Sequence, residues 1–191
     1  WYRDKSETRA LLRKLELPTP GFRKIPTAVL EDPDRKSRLK ERLKGLRYPV
    51  VSKPLDKYGS RGIYISENLD ELIEASQKTA EFSDMPEILV EEYNDGYEFN
   101  MMTWVLDGQV HVISIADREK TSVAKGEIPI STRNVYPSRL MAKVERPATE
   151  LLQAYIEKTG QKDGALSMQF FWKPGEGIQV CEIAARFFGY E

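Results

Sequence analysis

A chain of 191 residues, 40% hydrophobic and 31% charged with 12 glycines and 11 prolines, has a folded globular composition and room for one large domain or two small lobes. Its 29 basic residues balance 30 acidic ones, and a net charge of −1 removes the usual electrostatic case for a protein that coats nucleic acid. One cysteine, Cys181, and one histidine, His111, leave no disulfide, zinc-finger or thiol-redox framework. No apolar run is long enough to span a membrane and the charged opening from Trp1 to Lys5 is no signal peptide, so the expectation is a soluble chain in a reducing, cytoplasmic compartment. The sequence does not open on methionine and stops within Phe187-Phe188-Gly189-Tyr190-Glu191, which reads as a piece of something longer.

In chain order, Asp4 is placed to cap a helix running to about Leu15, with Leu11, Leu12 and Leu15 on one face, and Pro18-Thr19-Pro20-Gly21 stops it. A short strand over Phe22 to Ile25 follows. Asp32-Pro33 starts a second helix in which Leu39, Leu43 and Leu46 repeat at helical spacing. Its other face, with Arg35, Lys36, Arg38, Lys40, Arg42, Lys44 and Arg47, reads as a solvated basic surface. Val50 to Lys53 is a strand, Pro54 to Gly62 a loop, and Ile63 to Ile65 its returning partner. Asn68 caps a helix with Leu69, Leu72, Ile73 and Ala80 inward, and Glu87 to Glu92 is a strand that ends the first lobe. The second lobe opens with a strand from Glu98 to Leu106, turned at Asp107-Gly108 into a return strand from Gln109 to Ala116. Asp117 to Gly126 is charged and unpatterned, as a mobile loop would be. A helix carrying Leu151, Leu152, Tyr155 and Ile156 precedes a last hairpin, Ala165 to Lys173 and Ile178 to Ile183, turned by Pro174-Gly175-Glu176-Gly177.

The last hairpin brings two oxygen-bearing side chains together. A turn over 174–177 sets Lys173 opposite Ile178, and counting back puts Gln169 opposite Glu182 with Cβ atoms about 4.5 to 5.5 Å apart. A carboxylate and an amide suit magnesium, which fills its octahedron with water and phosphate; a polar pair on a solvated sheet face is the other reading. Lys53 ends a strand before Gly59-Ser60-Arg61-Gly62, a loop whose backbone can approach phosphate oxygens, although no GxxxxGK[ST] run is present and a surface turn has the same composition. Glu91-Glu92-Tyr93-Asn94 and Glu98 lie at the lobe boundary, where ligand clefts tend to form and where an exposed linker would look the same.

In order, these segments resemble the ATP-grasp superfamily, above all the nucleotide-binding regions of carbamoyl phosphate synthase and biotin carboxylase. The resemblance rests on Asp4-Lys5 before a helix ending in Leu17-Pro18-Thr19-Pro20, Tyr48-Pro49-Val50-Val51-Ser52-Lys53-Pro54 with Gly59-Ser60-Arg61-Gly62, Glu91-Glu92-Tyr93 with Gly96-Tyr97-Glu98, and Gln169 followed by Glu182 and Arg186. It implies an α+β fold of two lobes with the nucleotide held between two antiparallel sheets: 1–20 a helix and connection, 21–93 a lid lobe, 94–191 a core lobe. Other domains of the full-length chain are implied as partners, including an amino-terminal α/β domain of about 100 residues.

The resemblance also implies roles. Glu91, Glu92, Tyr93 and Asn94 form the hinge whose backbone reads adenine, and Glu98 matches the acid that accepts ribose hydroxyls. Lys53 and Lys5 look like the phosphate-binding lysines, and Gly59, Ser60, Arg61 and Gly62 look like the lid over the triphosphate. Gln169 and Glu182 match the magnesium ligands, and Arg186 matches the arginine that steadies the transferred phosphoryl group or acyl phosphate. The family usually reads Glu-x-Asn-x-Arg where this chain reads Glu182-Ile183-Ala184-Ala185-Arg186, and Ala184 cannot ligate a metal. The implied activity is an ATP-dependent ligase joining a small carboxylate or bicarbonate to an amine-like nucleophile, with ATP and Mg2+ as cofactors. A catalytically silent nucleotide-binding or assembly domain and an ATP-grasp kinase are the alternatives; neither nucleic acid nor membrane is a partner.

Overall fold

Short apolar runs punctuated by glycine and proline become strands, and the amphipathic stretches between them become helices. The computed structural model describes residues 5–57, 61–121, 124 and 126–187. The chain divides into two units, the first made of Trp1–Arg9, Pro20–Asn94 and Ser122–Ile130, the second of Ala10–Thr19, Asp95–Thr121 and Ser131–Glu191. Helix α1 (Lys5–Lys14) contributes to both in sequence; Asp4, expected to cap it, lies outside the described residues.

In the first unit, β1 (Phe22–Pro26), β2 (Val50–Pro54), β3 (Tyr64–Ser66) and β4 (Glu87–Glu92) form an antiparallel sheet in the order β1-β4-β2-β3. One face of the sheet buries Ile25, Val50, Ile88 and Val90 against α2 (Thr27–Glu31), α3 (Arg35–Arg42) and α4 (Leu69–Glu81), whose Val29, Leu30, Leu39 and Leu72 complete the core. The other face carries Val51 and Lys53, and a smaller cluster of Phe22, Leu55 and Leu89. Asn68 caps α4 as expected, its side chain accepting from Glu71 N at 3.0 Å. The helix expected from Asp32 starts at Arg35 instead, because Asp32 Oδ1 accepts from Asp34 N at 2.8 Å and holds a turn around Pro33; its Lys36, Arg38, Lys40 and Arg42 are exposed and Arg35 is half-buried.

In the second unit, β5 (Tyr97–Leu106), β6 (Gln109–Lys120), β7 (Ser131–Val135), β8 (Gly164–Lys173) and β9 (Gly177–Ala184) form an antiparallel sheet in the order β7-β6-β5-β8-β9. Asp107 at φ 51° and Gly108 at φ 74° make the tight turn between β5 and β6, the positive φ pair that a two-residue hairpin needs. Helix α5 (Met141–Thr159) lays Val144, Ala148, Leu152 and Ile156 on Phe99, Met101, Ile115, Leu166, Met168 and Phe170. The expected mobile loop over 117–126 is corrected here. Residues 117–120 continue β6 and pair with β7, because their acidic side chains find partners: Glu119 takes Arg133 of β7 at 2.6 Å, and Asp117 takes Ser138 and Arg139 in the segment after β7. Among the described residues no helix is long and apolar enough to cross a membrane.

The β8–β9 hairpin does place Gln169 opposite Glu182, by a different route from the counted one. Lys173 faces Gly177 rather than Ile178, and a bulge between Gln169 and Phe170 in the ladder restores the register.

Candidate functional site

The first unit concentrates charge on the face of its sheet opposite the helices. Val51 pairs with Glu91 and Lys53 with Leu89, so Lys53 and Glu91 are diagonal neighbours on one face. The Lys53 ammonium pairs with Glu91 Oε1, and Arg9 of α1 grips the same carboxylate with Nε 2.8 Å from Oε2 and Nη2 3.2 Å from Oε1. The Arg9 and Glu91 side chains are 5% and 4% exposed. Burial pushes the Glu91 carboxyl pKa up, but the charges of Arg9 and Lys53 and their hydrogen bonds outweigh it and bring it down to about 2. Lys5, at the start of α1, turns its ammonium to the carbonyl oxygens of Lys57 and Pro54. Of the hinge expected from the sequence, Glu92 N donates to Gly21 O and Tyr93 N to Pro49 O, both at 2.9 Å. The Glu92 carboxylate is held by Arg47, at 3.0 Å from its backbone N and 3.2 Å from Nη2; burial raises its pKa, and the Arg47 bonds bring it below the usual carboxylate range. Asn94 follows, half-buried, at the end of the unit.

The second unit gathers its polar groups on the face of its sheet away from α5. Strand alternation sends Phe99, Met101 and Val105 into the core and turns Glu98 and Asn100 the other way. Glu98, with a side chain 8% exposed, lies 2.5 Å from Lys120 Nζ and 3.0 Å from Arg118 Nε, and also accepts from Gln169 Nε2. Arg118 Nε faces Glu98 without being aligned to donate to it, while Nη1 donates to Asn100 Oδ1 at 3.2 Å. Lys120 Nζ stands 5.1 Å above the Phe171 ring. Glu98, Gln169 and Glu182 thus run across three neighbouring strands, β5, β8 and β9.

This donor set fits magnesium. Gln169 turns its amide nitrogen to Glu98, and Glu182 is half-buried beside it, so an amide oxygen and a carboxylate remain for a hard cation that completes its shell with water and phosphate. Among the described residues no group of three or more His, Cys, Asp or Glu is gathered as a protein-only metal cage. Ala184 is fully buried opposite Ser167 and adds no ligand.

The remaining sequence candidates are more scattered. Arg186 is exposed beyond β9, its Nη1 donating to Phe187 O at 3.3 Å. Arg61 is exposed and Gly62 buried, while Gly59 and Ser60 lie outside the described residues. Three residues that sequence reading passed over complete the two clusters: Arg9, Arg118 and Lys120. Arg9 had a signal, since it falls four residues after Lys5 and three before buried Leu12, a cation on an apolar helix face that demands a counter-charge. Arg118 and Lys120 were hidden because charged alternation at the end of a strand reads as loop.

The chain is 24% identical over 190 residues to the N-terminal section of the carbamoyl phosphate synthase large chain of Methanopyrus kandleri, covering 96% of this chain and 31% of that protein. It therefore spans about a third of that relative's length. Its fold matches the VanG D-Ala:D-Ser ligase of Enterococcus faecalis with a TM-score of 0.75 at 22% identity, covering 96% of this chain and 52% of that one. It also matches the biotin carboxylase domain of the Hydrogenobacter thermophilus 2-oxoglutarate carboxylase, a structure in complex with MgADP, ADP and bicarbonate, with a TM-score of 0.70 at 20% identity over 97% of this chain and 40% of that one. Residues 46–190 match the ATP-grasp domain family, and the chain, with its two antiparallel sheets in an α+β fold, belongs to that family.

Proposed function

We propose that this chain is the ATP- and magnesium-binding part of an ATP-dependent carboxylate–amine ligase of the carbamoyl phosphate synthase type, acting through an acyl phosphate. The observation that carries the reading is the row of Glu98, Gln169 and Glu182 across three adjacent strands in a chain of the ATP-grasp family. Glu98 accepts from the ribose hydroxyls, the backbone from Glu91 to Asn94 reads the adenine edge, and Lys53 and Lys5 meet phosphate oxygens. Gln169 and Glu182 hold magnesium, which when bound neutralises phosphate charge.

A carboxylate or bicarbonate oxygen attacks the γ-phosphorus, the bond to the bridging oxygen breaks and ADP leaves. The amine-like nucleophile then attacks the acyl carbon and displaces phosphate. Neither step needs a protein nucleophile, only position and positive charge, which Lys53 and Arg186 supply. This accords with a chain whose single histidine, His111, is exposed on β6.

Calorimetry with ATP and adenosine, with and without magnesium, tests the reading. Glu182→Gln is expected to leave adenosine affinity unchanged and to abolish the magnesium dependence of ATP binding; ATP affinity that ignores magnesium in the unaltered protein would sink it. In the full-length protein, ADP release screened over carboxylates and amines, with hydroxylamine as a trap for the acyl phosphate, separates ligase from kinase. The buried Ala184 favours one second reading, nucleotide binding without turnover, which magnesium-dependent ATP binding without ADP release for any acceptor would support.

A further inference from the structure

Lys53 and Glu91 make a pair that, alone, is close to neutral for an approaching anion. A phosphate drawing the ammonium away would leave a carboxylate 4% exposed without its partner, which is strongly unfavourable. Arg9 alters both sides of that balance. Its guanidinium reaches Oε2 at 2.8 Å and Oε1 at 3.2 Å, so both carboxylate oxygens keep a charged donor when Lys53 turns elsewhere. Two cations share one anion, and the set carries one surplus positive charge. At 5% exposure Arg9 does not itself present that charge to solvent; Lys53, at 13%, is the more exposed cation.

We propose that Arg9 is a positioning residue that frees Lys53 for phosphate, by holding Glu91 and by giving the Arg9–Glu91–Lys53 set its surplus positive charge. The inference rests on the phosphate role given to Lys53 above. Selectivity for ATP over adenosine then follows the charge count of the set and not the presence of any single bond.

The test is calorimetric titration of the full chain with ATP and with adenosine. Arg9→Met makes the set neutral and is expected to lower the ATP-to-adenosine affinity ratio by about tenfold or more, the order expected from removing one nearby charge at intermediate dielectric. Arg9→Lys keeps the charge and most of the ratio. Arg9→Met combined with Glu91→Gln restores the surplus and returns the ratio toward its original value, although both partners of the buried pair are gone. A purely structural Arg9 predicts the opposite pattern: ATP and adenosine weaken together in the single variant, and the double variant rescues neither. If Arg9→Met alone does not fold, Glu91→Gln is compared with the double variant, which leaves no unpaired carboxylate; removal of Arg9 from that background must still lower the ratio about tenfold. An unchanged ratio overturns the inference while leaving ATP binding intact. An unaltered protein with no preference for ATP over adenosine overturns instead the function proposed for the site.

Discussion

Glu91 stays ionised under almost complete burial because two cations are held against it, and this couples one side chain to the acid stability of the protein. Its folded pKa of about 2 lies below the ordinary 4.5, so between these values the unfolded chain binds a proton that the folded chain does not. The stabilisation is complete above pH 4.5 and is lost as pH falls toward 2, about 3 kcal/mol in total. Asp95 and Glu92, through Lys173 and Arg47, and Asp117, through the Ser138 hydroxyl and then Arg139, are shifted the same way, so the whole protein weakens in acid and only the difference from a Glu91 variant isolates this group. Glu91→Gln leaves Arg9 and Lys53 facing a neutral amide and is expected to lose about 3 to 5 kcal/mol at pH 7. In urea denaturation its deficit should shrink steadily from pH 4.5 toward pH 2; a deficit that does not change with pH would mean that the carboxylate is not held ionised.

At the scale of elements, Gly62 shows where backbone conformation and packing act together. It has φ +68°, and a Cβ there would sit 2.7 Å from Phe82 Cγ; Gly160, with φ +74°, has nothing within 4 Å. Gly160→Ala therefore carries the left-handed backbone penalty alone, about 1 to 2 kcal/mol, and Gly62→Ala adds the displacement of the ring that closes α4. Thermal unfolding should place Gly62→Ala below Gly160→Ala, and Phe82→Ala should reduce that difference without removing the backbone share. Equal losses at the two glycines would mean that the Phe82 ring yields freely.

Most strands were legible because Pro, Gly and Asn punctuate them: β4 runs over the expected Glu87–Glu92, and the Asp107-Gly108 turn sets the β5–β6 hairpin. Two kinds of element were not legible. Thr27–Glu31 is too short for a helical period to show, and Ser131–Val135 with the end of β6 is a polar edge whose stability comes from cross-strand charges. The candidate sites divide along the same line. Gln169 and Glu182 could be paired by counting residues, whereas the Arg9–Glu91 contact joins positions 82 residues apart and follows no local pattern.

For the whole molecule, the first unit is not one stretch of chain. Ile65 N, on the edge strand β3, donates to Gly126 O at 2.9 Å, and Tyr64 bridges to Glu127, so residues far along the sequence close that edge. A fragment ending at Asn94 is expected to lose hydrogen-exchange protection at the Ile65 amide and to associate in sedimentation experiments, as bare sheet edges do. Rejoining residues 122–130 through a flexible linker should reverse both; protection that persists in the shorter fragment would show that the edge closes by itself.

The same connection imposes an order on synthesis. Every other strand of the first sheet has been made by Glu92, yet the partner of β3 reaches the chain only at Gly126, a few seconds later at the roughly 5 to 20 residues per second of translation. Through that interval the nascent sheet waits with an open side while the extended chain of β5 and β6 is being added. The three-residue length of β3 offers a newcomer very few backbone groups to bind, so the edge that waits longest for its partner is also the one least able to accept a wrong one.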